Sequence, residues 1–244
     1  MTAQSGTPLA VLDLVPVTEG GTAAQALRNS IDLARQAERF GYARYWVAEH
    51  HLNAGVAGTS PAVVLGPIAA ATTTIRVGSG AVQLGHRTAL STVEEFGLLD
   101  ALYPGRVDLG LGRSGGTPPR RDPAQRSDKS SAEAATPREV NGVLIPKPFD
   151  TNRLLASPRV ELQRELLLLP DAKPQDYAEQ IDDLLALLRG DYRADDGRGV
   201  DVVPGAGADV QPWLMGSSGG QSARVAGQRG LRFAVAYHVA PAGV

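Results

Sequence analysis

The residues able to do chemistry in this 244-residue chain gather in a few short stretches, most of them rich in glycine. Glu49-His50-His51 sets one carboxylate beside two imidazoles. Imidazole titrates near neutrality, so a histidine here can serve as a general base or orienting group. The same ring can equally be a buried, hydrogen-bonded core residue. A metal site is the weakest of the three readings. Neighbours in extended chain point to opposite faces, and no further His or carboxylate stands at a ligand spacing. Gly216-Ser217-Ser218-Gly219-Gly220 precedes an amphipathic run, so hydroxyls and glycines meet at a helix N-terminus. Four amides lack partners there and the helix dipole is positive, which makes an anion site. Ser218-x-x-Gln221 is also a capping box, so a plain helix cap explains the same residues. Arg113, in Gly110-Leu111-Gly112-Arg113-Ser114-Gly115-Gly116, offers a guanidinium that can grip a phosphate bidentately. Its plain alternative is a surface ion pair.

Composition narrows the classes. There are no cysteines, which excludes disulfides, thiolate metal sites, iron–sulfur clusters and a Cys nucleophile. The net charge of −2, from 24 basic and 26 acidic residues, gives no support for a nucleic-acid or anionic-membrane partner. Apolar residues at 43% suit a chain that buries a core. No apolar stretch approaches the roughly 18–20 residues of a membrane span. Met1 to Pro8 carries no basic residue, which argues against a secretory signal. A soluble cytoplasmic chain is expected.

The elements that must position these residues alternate regularly. Strands are expected near 9–14, 44–49, 75–84, 106–112, 212–216 and 232–237, the last ending in Tyr237-His238. Helices fall between them. Thr22-x-x-Gln25 and Ser91-x-x-Glu94 have capping-box spacing, and Ser60-Pro61 supplies a cap followed by proline. Pro174 opens a helix with Tyr177, Ile181, Leu184, Leu185 and Leu188 on one stripe, and Ser218 to Arg229 is another, closed by Gly230. The segment 114–173 breaks the rhythm. At that length it is a partly ordered excursion over one face rather than a connection. Strands alternating with helices imply a parallel sheet. An open doubly wound sheet would carry a glycine-rich phosphate turn after its first strand, but Pro16-Val17-Thr18-Glu19-Gly20-Gly21 stands there. The expected fold is therefore α/β, a TIM-type (β/α)8 barrel truncated after its sixth strand. Residues 1–244 would form one barrel domain with an insertion at 114–173 and the last two βα units missing. Barrel chemistry sits at the carboxyl ends of the strands, where the polar and glycine residues cluster.

Several stretches together resemble the bacterial luciferase-like monooxygenases, flavin-dependent barrel enzymes with deazaflavin-dependent relatives. They are Val11-Leu12-Asp13-Leu14, Trp46-Val47-Ala48-Glu49-His50-His51 and Ile75-Arg76-Val77-Gly78-Ser79-Gly80-Ala81-Val82. They continue with Tyr103-Pro104-Gly105-Arg106-Val107-Asp108-Leu109-Gly110-Leu111-Gly112-Arg113 and Trp213-Leu214-Met215-Gly216-Ser217-Ser218-Gly219. The resemblance implies reduced FMN, or the deazaflavin coenzyme F420, in the barrel mouth. Gly80-Ala81 matches a non-prolyl cis peptide that buttresses the flavin ring. Arg113 with Ser217, Ser218 and Gly219 matches the flavin phosphate site. His50 matches a histidine near the reactive edge of the flavin, and Glu49 is its neighbour in that signature, so both are candidate catalytic residues. No metal is implied.

The implied reaction is oxygenation of a small organic substrate by reduced FMN and O₂, with a separate flavin reductase as partner and a homodimer as the assembly. The alternatives are a non-catalytic flavin-binding truncated homologue and an F420-dependent oxidoreductase working without oxygen. Two departures stand out. Gly85-His86-Arg87 lacks the proline that often follows the family's histidine, which leaves the role of His86 open. Relatives also usually continue for two further βα units beyond the equivalent of Val244.

Overall fold

Alternation along each short strand decides which side of the sheet a residue serves. The computed structural model describes residues 6–113, 136–145, 157–173, 175–217 and 220–236. Within them lie β1 (Ala10–Asp13), α1 (Ala23–Arg39), β2 (Arg44–Val47), α2 (Pro61–Ala70), β3 (Arg76–Ser79), β4 (Val82–Gln83) and α3 (Ala89–Leu102). There follow β5 (Val107–Gly112), β6 (Arg138–Val140), β7 (Val143–Ile145), α4 (Pro158–Leu167) and α5 (Tyr177–Arg189). The last are β8 (Gln211–Gly216), α6 (Gln221–Arg229) and β9 (Arg232–Val235). The main sheet runs β1-β2-β3-β5-β8-β9, with β4 also on β5, and every pairing in it is parallel. The alternating strand–helix order thus gives the expected α/β parallel sheet, six strands along its path.

One face of the sheet carries the core. Tyr45, Val47, Val77, Val107, Leu109, Leu111 and Leu214 pack with Leu65, Ile68, Val93, Phe96, Ile181 and Leu184 from the helices. The intervening residues, Leu12, Arg44, Trp46, Arg76, Asp108 and Trp213, stand on the opposite face. Strands β3 and β5 approach so closely that a side chain has no room. A Cβ at Gly78 would lie 2.3 Å from the Asp108 carbonyl oxygen, and one at Gly110 would lie 2.0 Å from that of Ser79. Glycine is required at both.

Several boundaries differ from the sequence reading, each for a local reason. The strand expected over 75–84 is two, β3 and β4, broken at Gly80–Ala81, whose peptide bond is cis. Helix α3 is capped by Thr88, whose hydroxyl accepts from the Ser91 amide, so Ser91 sits inside the first turn. At α1, Thr22 does accept from the Gln25 amide, but the Gln25 side chain donates to Asn29 rather than reaching back. Helix α5 starts at Tyr177 because the Asp176 carboxylate takes the amides of Ala178 and Glu179, while Pro174 lies outside the described residues. Its end at Gly190, with φ 77°, is as expected. Helix α6 begins after Gly220, three residues beyond Ser217; Ser218, Gly219, Tyr237 and His238 lie outside the described residues. The 114–173 excursion contains the antiparallel hairpin β6–β7 and helix α4.

Asp108 ties the polar face together. Its side chain has no exposure, and its oxygens accept from Arg44 Nη1 at 2.5 Å, Arg76 Nε at 2.8 Å and Trp46 Nε1 at 2.9 Å. Arg44 also donates to Gln211 of β8 and lies 4.9 Å from the Trp213 ring centroid. One carboxylate therefore joins β2 and β3 to β5, and through Arg44 to β8. Asp108→Ala leaves two guanidiniums facing each other without an anion. It should cost about 3 kcal/mol, the low end for breaking a buried pair because both arginines keep some solvent. A urea unfolding midpoint unchanged from the parent would rule this out.

Candidate active site

The chain leaves β2 in extended form, so Glu49 and His51 fall on one side and His50 on the other. Glu49 points inward. Its side chain has no exposure, and its Oε1 accepts from Nε2 of His51 at 2.9 Å and Nε2 of His86 at 2.9 Å. The Arg87 guanidinium lies 3.5 Å from the same oxygen and is itself held bidentately by Glu95. Oε2 accepts from the Gln83 amide at 3.1 Å, and the Gln83 side chain donates back to the Glu49 carbonyl at 2.6 Å. Burial alone would raise the Glu49 pKa. Hydrogen bonds from His86 and His51, the Arg87 charge and the Gln83 amide overcome it and hold the carboxyl below the usual carboxylate range. Glu49 is thus an ionised hub that fastens the segment from the cis Gly80–Ala81 bond to Arg87 onto the end of β2. It acts through other residues rather than by exposing its own oxygens.

The hub also corrects the argument that no third ligand accompanies Glu49 and His51. The turn after β4 brings His86 in, and the three offer ligand atoms within 4.8 Å of one another. In the structure both imidazoles donate to the carboxylate. His86 and Gln83 were invisible as partners from the sequence because they lie more than thirty residues away. The one available signal was that His86, like Glu49, follows a strand's carboxyl end.

His50 is exposed. Among the described residues its ring makes no hydrogen bond, while its amide donates to the Gly58 carbonyl at 2.8 Å. Partial burial and the charges of His51 and Arg159 lower its pKa against the opposing pull of Glu49, so it is neutral at pH 7. Arg159, on α4, was not singled out in the sequence.

At the neighbouring strand ends Arg113 leaves β5 one residue past the Gly112–Met215 pairing, and Ser217 leaves β8 two residues past it. Arg113 Nη1 donates to Gln221 Oε1 at 2.8 Å, placing the guanidinium at the N-terminus of α6. Among the described residues no side chain caps that helix at Gly220. The guanidinium therefore lies at that helix N-terminus, and half-buried Ser217 precedes the helix, while Ser218 and Gly219 lie outside the described residues. Gly80 sits over Leu12 and Trp46, where a Cβ would come within 2.6 Å of Leu12 Cδ1. Polar and glycine residues thus line one end of the sheet, at the carboxyl ends of β2 to β8.

The sequence and its parallel α/β sheet have known relatives. Residues 7–136 match the family model for the luciferase-like monooxygenases, and the chain belongs to that family. It is 42% identical over 238 residues to the Bacillus subtilis protein YvbT, covering 97% of this chain and 57% of that one. It is 39% identical over 231 residues to a luciferase-like monooxygenase of Escherichia coli, covering 95% and 56%. The crystal structure of apo-MsnO8 superposes with a TM-score of 0.69 at 33% identity, over 96% of this chain and 56% of that one. The chain thus spans a little over half the length of these relatives. The parallel sheet with its helices is the corresponding part of their barrel. Among the described residues no helix is long and apolar enough to cross a membrane.

Glu49→Gln should lower stability at pH 7 by about 3 kcal/mol, because His51 and His86 lose a buried charged acceptor. The sign of the pH dependence is fixed by the depressed pKa. Glu49 contributes fully above its unfolded value of 4.5, and the contribution is lost as pH falls through the lower folded value. Chemical denaturation of both proteins should therefore show the gap closing below about pH 4 and constant above pH 5.5. A pH-independent gap would mean the carboxylate charge is not what holds the hub.

Proposed function

We propose that the chain carries the cofactor half of a flavin-dependent monooxygenase that oxygenates a small organic substrate. The meeting of Arg113 with the N-terminus of α6 carries this reading. Two donors suited to a phosphate, a guanidinium and helix amides uncapped among the described residues, come from adjacent strand ends at one place. Arg113, Ser217, Ser218 and Gly219 would hold the phosphate, and Gly80 and Ala81 would lie under the ring system. The donor set suits FMN and equally the phosphate-bearing deazaflavin F420.

Reduced flavin, when bound, supplies the two electrons with which O₂ gives one atom to the substrate and one to water, and a separate reductase would restore it. The chain's own residues position and protect. Glu49 holds the Gly80–Arg87 segment in place through Gln83 and His86. His50, neutral at pH 7 and free of other hydrogen bonds among the described residues, accepts a proton or a hydrogen bond on the open side. Its lowered pKa keeps that capacity into mildly acidic solution.

Titration with FMN and with F420, followed by flavin fluorescence, tests the reading and separates the two cofactors. Arg113→Ala should weaken the preferred one roughly ten- to a hundredfold, the worth of one or two charged hydrogen bonds. His50→Ala should bind the cofactor nearly as well as the parent, while the rate of product formation falls by about 10²–10⁴ and unproductive peroxide release rises. Failure of both cofactors to bind would leave the phosphate assignment without support. Loss of cofactor and early melting in His50→Ala would make His50 structural instead.

A further inference from the structure

Close to His50, among the described residues, an apolar cleft opens at the surface. A cleft of about 640 Å³ opens between the loop after β2 and helix α4, lined by Leu52, Asn53, Val56, Pro158, Arg159 and Leu162. That volume is in the range that holds a small organic molecule. Leu52 and Leu162 both line it, with 47% and 48% of their surface exposed, so the cleft offers aliphatic surface to a ligand. Leu52 is held there by a left-handed backbone, φ 49°, which a bulky L-residue rarely adopts and which tends to mark functional positions.

The cleft has one charge. Arg159 Nη1 donates only to the Leu52 carbonyl, at 3.4 Å, and among the described residues no carboxylate pairs with it. Its charge reaches His50, helping to keep that ring neutral. An unpaired guanidinium at the rim and aliphatic walls below select a molecule with an acidic head and an apolar body. A neutral apolar molecule would leave the cation unanswered, and a polar anion would leave the leucines wet.

We infer that this cleft is the substrate site and that its substrate class is a small amphipathic carboxylate, its acid group on Arg159 and its hydrocarbon between Leu52 and Leu162. The inference rests on the flavin reading only for the word substrate; the binding itself stands apart from it. Asn53 at the edge offers a second polar contact for the head group.

Calorimetric titration of the 244-residue protein with octanoate and with 1-octanol tests it without cofactor. Octanoate should bind about tenfold more tightly than octanol. Arg159→Ala should erase that preference, Arg159→Glu should reverse it toward octylamine, and Leu162→Asp should weaken octanoate and octanol alike. Both positions, Arg159 and Leu162, are on helix α4, and circular dichroism checks that the three variants fold. Equal binding of octanoate and octanol by the parent overturns the inference, as does an octanoate affinity indifferent to Arg159→Ala. Parallel FMN and F420 titrations keep the two readings distinct. Octanoate binding with the expected preference but no cofactor binding would sink the flavin reading alone. Cofactor binding lost in Arg113→Ala without any octanoate preference in the parent would sink the cleft alone.

Discussion

Asp108 has no contact with water, yet it stands on the sheet face that carries the charged residues rather than the aliphatic ones. A carboxylate in that position is tolerable only if its oxygens are fully used, and they are, by Arg44, Arg76 and Trp46. The consequence is geometric as much as energetic. Because the three donors come from β2 and β3, the Arg44–Arg76 and Gly78–Asp108 registers are held by side chains as well as by the ladder. A one-residue slip would turn Asp108 into the apolar core and put a Leu or Val among the guanidiniums. Everything at the far ends of these strands inherits its position from that register.

The opposite ends are held by a second unexposed carboxylate, and comparing the two shows a division of labour. Asp108 near the start of β5 is met by permanent cations and an indole, which makes a fixed strut. Glu49, just past the end of β2, is met by His51 of its own loop and by His86, a shared arginine and the Gln83 backbone amide of the Gly80–Arg87 segment. The strut fixes strands and the hub fixes a loop. Between them His50 and Arg113 are left unburdened by structural work, which is what groups that meet ligands require.

Much of the frame was legible in the sequence because it follows from period and punctuation. The six strands needed only short apolar runs bounded by glycine and proline, and the helices needed their stripes and end signals. Details that depend on three-dimensional partners were not. Thr88 rather than Ser91 caps α3, because both hydroxyls precede the same apolar stripe and only the path of the chain decides between them. The break between β3 and β4 is invisible to periodicity in the run Ile75 to Leu84, and only the family resemblance, through its cis peptide at Gly80–Ala81, marks the place. At the site, Arg113 and the β8 end could be anticipated since adjacent strands and a helix N-terminus place them by rule. Glu49 was visible as a residue but not as a buried hub, for its partner His86 is set by a turn. Arg159 was hidden in a segment whose composition carries no period at all.

The pairing of β5 with β8 joins positions roughly a hundred residues apart in the chain, whereas β1, β2, β3 and β5 follow one another through short helical crossovers. Loop closure grows only logarithmically in cost with length, so the equilibrium suffers little. The search is slowed far more, since long-range parallel pairing is the slow event in folding. On that ground β1, β2, β3 and β5 are expected to assemble first, with β8, α6 and β9 docking onto the edge of β5 afterwards. The two sides of the Arg113–Gln221 contact come from different stages of that sequence. A ligand gripping both is present only in the finished state, and by mass action it pulls the last docking step to completion.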